Sequence, residues 1–181
     1  MPIQYHIDGT NRIQFINEAW FEFAAQNGAE ELNSDYILGD LIWKFIAGQE
    51  VKQLYDLIFK AVRKIHKDAV FSFRCDSPAY RRYLRLTVSP LPDEALMLST
   101  EHIREVSRSP VPLLDLDTAR GEQYLTICSW CIKARLPSEK WVELEEAVNH
   151  FDLLARKAFP KLTHGICHEC VTTIKNELEN L

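Results

Sequence analysis

Four of the five cysteines fall into two Cys-x-x-Cys pairs, Cys128/Cys131 and Cys167/Cys170, and Cys75 stands alone. Zinc takes thiolate and imidazole ligands in a closed tetrahedron, and two intervening residues let both sulfurs of a pair reach one ion from a tight turn. Each pair is then half of a site, and the segment between them holds a predicted helix able to return the chain. Two other chemistries use such pairs. A thioredoxin-like redox dithiol needs a single motif opening a helix in a βαβ setting, not two motifs. Covalent haem attachment needs a histidine directly after the second cysteine, where this chain has Ile132 and Val171. Unrelated buried cysteines are the plainer alternative. His164 and His168 flank the second pair, and either could replace a sulfur to give a Cys-Cys-Cys-His shell, although four thiolates already complete one. Four protein ligands leave no open position for water or substrate, so the expected metal is structural, not catalytic.

The rest of the chain must position these sulfurs. Hydrophobic residues at 46% and charged residues at 26% are a globular balance, enough to bury a core in one ordinary domain and a smaller one. A net charge of −5 lacks the basic footprint of a nucleic-acid binder. Met1–Arg12 has no basic region followed by an apolar one, and no apolar run reaches the roughly 18 residues that span a bilayer. A soluble cytoplasmic setting with reduced thiols is the expectation, which turns paired cysteines toward metal or redox chemistry.

Short alternating runs around Gly9-Thr10-Asn11 predict a hairpin over Tyr5–Ile16, with Ile13 and Phe15 on one face. Asn17 then caps a helix carrying Trp20 and Phe23, which Gly28 is placed to stop. Val51, Leu54, Ile58, Val62 and Ile65 recur at helical spacing. The period changes to two at Phe71, Phe73 and Cys75 and again at Leu84, Leu86 and Val88, and Ala95–His102 supplies a last strand. From Ile103 to Gln123 the pattern dissolves into a linker. Beyond it, Tyr124–Cys128 reads as a short strand, Ser138–Phe159 as a helix ended by Pro160, and His168–Leu181 as a final helix.

Cys-Ser-Trp-Cys at 128–131, Lys133, Trp141 and Thr-His-Gly-Ile-Cys-His-Glu-Cys at 163–170 resemble a C-terminal cysteine module of bacterial signalling proteins. The recurring form is CSWCKKI, a downstream tryptophan and SHGICPEC; this chain departs from it at Ile132 and His168 and keeps every cysteine. Residues 5–102 resemble a PAS domain in element order: a strand pair, the helix with Trp20, the Gly39–Trp43 turn, a long helix and three closing strands. That resemblance implies a five-stranded antiparallel sheet whose short helices cover a pocket, which in many relatives holds a small molecule or prosthetic group. Trp20, Trp43, Phe59 and Phe73 are the candidate lining, with ordinary core packing as the alternative. No histidine is placed as a haem ligand: His66 ends a basic helix, His102 ends a strand and His6 starts the sheet. No flavin-photosensor cysteine motif is present, and Cys75 reads as a buried inert thiol.

Arg74, Arg81 and Arg82 surround one predicted turn, as a site for an anionic group or as a solvated face balanced by Asp68 and Asp76. No nucleophile–base pair or phosphate-binding glycine loop emerges, so no enzyme is expected. The expected fold class is α+β: a PAS-like sensory domain over 1–104, a linker over 105–123 and a small helical zinc-binding module over 124–181. The expected role is signal sensing or adaptor binding, with an unidentified small ligand or a protein partner and a homodimer, and no membrane or nucleic acid. A redox switch that releases zinc on thiolate oxidation is the alternative.

Overall fold

Asp8 closes the first turn, its Oδ1 accepting from the amides of Thr10 (2.8 Å) and Arg12 (2.9 Å), and so pairs β1 (Ile3–Ile7) with β2 (Ile13–Ile16). A register shift between His6 and Ile7 breaks the alternation expected of β2: Ile13 and Ile16 are buried while Phe15 is exposed. This chain is described in a computed structural model over residues 1–26, 29, 31–115 and 117–181. The expected stop at Gly28 lies outside those residues.

Asn17 accepts from the Trp20 amide at the start of α1 (Glu18–Gln26) and from the Gln4 amide of β1, fixing that helix to the sheet. The short α2 (Ser34–Ile37) is capped by Asn33, and a 3-10 turn at Ile42–Lys44 leads to α3 (Gln49–Ile65). The apolar stripe of α3 buries Val51, Leu54, Ile58 and Val62 as its spacing requires, with Phe59 beside them and Ile65 left exposed at the C-terminal end. His66 ends the helix in the left-handed region.

Three strands complete the sheet: β3 (Ala69–Arg74), β4 (Tyr80–Pro90) and β5 (Leu96–Ser107). The order is β2-β1-β5-β4-β3, all antiparallel, with the helices inserted between β2 and β3. The class is α+β, as expected. No helix is long and apolar enough to cross a membrane among the described residues.

The C-terminal part departs from the expected elements. The stretch expected as linker begins inside β5, whose last residues pair with Tyr80–Tyr83. It ends inside β6 (Arg120–Cys128), and the 3-10 turn Pro112–Leu114 between them buries Leu113. The helix expected over Ser138–Phe159 is instead a hairpin strand, a short helix and a turn. Glu139 and Asp152 adopt positive φ (66° and 49°), which breaks a helix at both places. Glu139 lies in the turn that pairs β7 (Ala134–Arg135) with β8 (Trp141–Val142), and between the two breaks α4 spans only Leu144–His150. Pro160 lies within β9 (Phe159–Gly165), an edge strand where a missing amide is tolerated. Alongside α4 and α5 (His168–Glu179), the module thus carries a four-stranded mixed sheet, β8-β7-β6-β9, that the periodicity did not reveal.

Candidate metal centre

The two cysteine pairs arise at the same end of that sheet, where the parallel strands β6 and β9 finish side by side with Cys128 opposite Gly165. Cys128 ends β6, and the turn into β7 closes by the Ile132 amide donating to Cys128 O (2.9 Å) and the Cys128 amide to Lys133 O (2.8 Å). Ile132 takes positive φ there (62°), a cost for a β-branched residue that the closed turn imposes. The second pair begins where parallel β9 ends beside β6. Gly165 permits the approach: a Cβ on it would meet Thr126 Cγ2 at 3.2 Å and Glu50 Oε2 at 3.3 Å. Gly165 O accepts from the Ser129 amide at 2.9 Å, tying the two turns together. Cys167 is then the N-cap of α5, accepting from the Cys170 amide.

This convergence places the four sulfurs within 4.8 Å of one another. Sulfurs each about 2.3 Å from one tetrahedral zinc ion stand roughly 3.8 Å apart. Cys131 Sγ and Cys167 Sγ, one from each pair, are 3.7 Å apart. The donor set therefore fits one thiolate-bound ion. Cys128, Cys167 and Cys170 are buried and Cys131 is partly exposed.

Main-chain donors point at the sulfurs. The Trp130 and Cys167 amides donate to Cys128 Sγ, and the Cys170 amide to Cys167 Sγ, each at 3.4 Å. Thiols this close ionise as one unit. Hydrogen bonds from Cys131, then Cys167 and Cys170, hold the Cys128 thiol well below its ordinary value. Hydrogen bonding to Cys128 above all pushes Cys170 up, because a further negative charge is resisted there. A cation removes that resistance, and metal binding releases the remaining protons. Among the described residues, neither histidine joins the group of clustered ligands. His164 Nδ1 lies 3.3 Å from Ser129 Oγ, and His168 is exposed in the first turn of α5.

The aromatic candidates separate. Trp20 and Phe73 line a nearly apolar cavity of about 260 Å³ under α1, together with Tyr5 and Leu84. Trp43 and Phe59 stack with ring centres 5.7 Å apart and are not on that wall; Phe59 is fully buried core. The buried Trp20 indole N–H has no acceptor among the described residues. Cys75 also lines the cavity; it is partly and not fully buried, and desolvation pushes its thiol up.

The arginine cluster is neither a vacant anion site nor a solvated face. Asp76, fully buried, pairs with Arg74 and with Arg108 (3.1 Å), while Glu143 takes Arg74 (2.9 Å) and Glu145 takes Arg81 (2.9 Å). Burial opposes the Arg74 charge, but Asp76 and Glu143 more than offset this and its pKa is raised. Asp76 was legible in the sequence as a partner; Glu143 and Glu145 were not, since nothing local signals carboxylates so far along the chain.

No family model matches this chain, and no curated protein does. Solved structures similar to part of it include a sensory box sensor histidine kinase from Vibrio cholerae, at 14% identity over 57% of this chain and 83% of that one, with a TM-score of 0.42. The PAS-B domain of Drosophila melanogaster Cycle with bound glycerol is similar at 12% identity over 56% and 99%, with a TM-score of 0.38. A PAS domain of an HTR-like protein from Haloarcula marismortui is similar at 16% identity over 56% and 81%, with a TM-score of 0.35. What the fold and the site define by themselves is an α+β protein with a five-stranded antiparallel sheet and a four-cysteine cluster able to hold a metal ion.

Proposed function

We propose that this chain is a non-catalytic signal-sensing or adaptor protein, acting in the cytoplasm, in which the sheet domain receives a small ligand or a protein partner and zinc holds the C-terminal module in shape. Homodimerisation through the sheet domain accompanies this reading. The observation that carries it is the meeting of four sulfurs from two distant pairs within 4.8 Å, under main-chain donors. Thiolates in that number complete a tetrahedral shell, which assigns the ion to structure and leaves no position for an activated water. The apolar cavity under α1 supports the ligand-binding half.

Elemental analysis of protein purified without chelator tests the metal. The expected result is one zinc per chain, replaceable by cobalt with the visible absorption of a tetrahedral thiolate complex. No stoichiometric metal, with every thiol reduced, overturns the reading.

The partial exposure of Cys131, 3.7 Å from Cys167, favours a second reading, a peroxide-responsive switch. Each peroxide would take two electrons from a thiolate pair, forming one disulfide and, with two protons, two waters; the ion would leave with its ligands. Zinc release in step with thiol loss under mild peroxide supports the switch, and full zinc retention removes it.

A further inference from the structure

Resting on the four-thiolate zinc reading, we propose that Trp130 couples the metal centre to the five-stranded sheet, so that filling or emptying the centre tightens or loosens β3 and the start of α3. Trp130 sits inside the first cysteine pair, yet its side chain leaves its own module. It is 5% exposed, packed against Phe71 and Phe73 with ring centres 5.9 Å away and against Tyr55 at 6.0 Å. Its indole Nε1 donates to Ser72 O at 2.9 Å, and its own carbonyl accepts from the Arg74 amide at 2.8 Å.

Those two contacts have a specific place in the fold. β3 is the end strand of its sheet, with β4 on one side only. Alternate residues of a strand turn their backbone groups the same way, so Ser72 O and Arg74 N–H are consecutive groups on the edge away from β4. Trp130 occupies both. The same residue donates its amide to Cys128 Sγ, so one residue is fastened to a sulfur at one end and to the sheet at the other.

The second cysteine pair makes an independent contact. Gly48, just before α3, lies against the strand leading to Cys167: a Cβ there would stand 2.7 Å from His164 O. Glu50 Oε2, in the first turn of α3, faces the Ile166 amide at 3.4 Å. Both halves of the centre thus touch the sheet domain, one through β3 and the other through α3. An ion that fixes the four sulfurs restricts both contacts together, and by linkage whatever tightens β3 and α3 raises the affinity for the ion.

Backbone amide exchange on the full chain tests this, with zinc loaded and then with zinc removed by chelator under reducing conditions. In the wild type the Val70–Arg74 amides are expected to exchange at least about tenfold faster without zinc, while β2, at the far end of the sheet, changes less than about twofold. Trp130→Ala is expected to keep one zinc per chain, with fast β3 exchange that no longer depends on zinc. Trp130→Phe keeps a ring and drops the indole donor; it covers the case in which the alanine variant does not fold, with a zinc response smaller than the wild type's. Wild type that binds one zinc but shows unchanged β3 exchange when it is removed sinks the coupling alone, as does a tryptophan variant with the full wild-type response. Wild type that takes up no zinc sinks the metal reading beneath it.

Discussion

The two apolar clusters of this molecule are assembled on different plans. The first, beneath the five-stranded sheet, mixes Ile58, Phe59, Phe71 and Leu98 with Cys128, Trp130 and Ile174 from the C-terminal part. The buried residues of the second all fall within 111–153, among them Leu113, Leu125, Leu144 and Leu153, with Phe159 and Leu162 packed against them and no cysteine among the described members. Chain order suggests a sheet domain followed by a separate small cysteine module. Packing shows that the cysteine turns serve the sheet domain, while the mixed sheet and α4 bury their own apolar faces. A metal at the cysteines should govern the first cluster more than the second.

The sharpest way to break that contrast is Cys128→Ser. Structural zinc in small peptides contributes about 10–16 kcal/mol, so losing one ligand is expected to release the ion and remove more than about 5 kcal/mol of stability in urea denaturation. Equal loosening of both clusters under amide exchange would end the distinction. Asp76→Ala comes next. It leaves Arg74 and Arg108 facing each other without their shared buried carboxylate, at about 3–5 kcal/mol, with zinc content unchanged. This variant tests whether the ion pairs to Glu143 and Glu145, without Asp76, keep the two parts together.

Leu153→Ala probes the second cluster directly. It is expected to cost about 2–3 kcal/mol through an unfilled cavity, without altering zinc affinity. The smallest effect is a pH limb at the junction. Enclosure raises the Tyr55 phenol to about 12, against about 10 when unfolded. The folded state therefore retains a proton that the unfolded chain loses. This contribution is full below about pH 10 and disappears as pH rises toward 12. Tyr55→Phe should flatten that alkaline fall by about 1 kcal/mol, reduced from the full shift because the residue is only partly enclosed.

Much of this arrangement was legible beforehand, for identifiable reasons. The cysteine spacing announces a cluster able to hold an ion because the constraint is local to each pair. The five strands follow from alternation and turn residues, both short-range signals. Ser138–Phe159 misled because Trp141, Leu144, Val148 and Phe151 keep helical spacing while Glu139 and Asp152 turn the backbone left-handed, and neither residue type announces that. The destination of Trp130 was hidden for a different reason: its partners lie on β3, far back along the chain, and no periodicity relates them. Trp43 and Phe59 looked like pocket lining by composition, but only three-dimensional packing separates a cavity wall from a filled core.

The cap on β3 has one more consequence. On the zinc reading proposed above, a chain stripped of its ion and released from Trp130 would present unpaired main-chain donors and acceptors beside the exposed Val70, a ready template for another extended segment. Handling this protein in chelating buffer should therefore shift it toward larger species on size-exclusion chromatography, and restoring zinc before they form should keep it small.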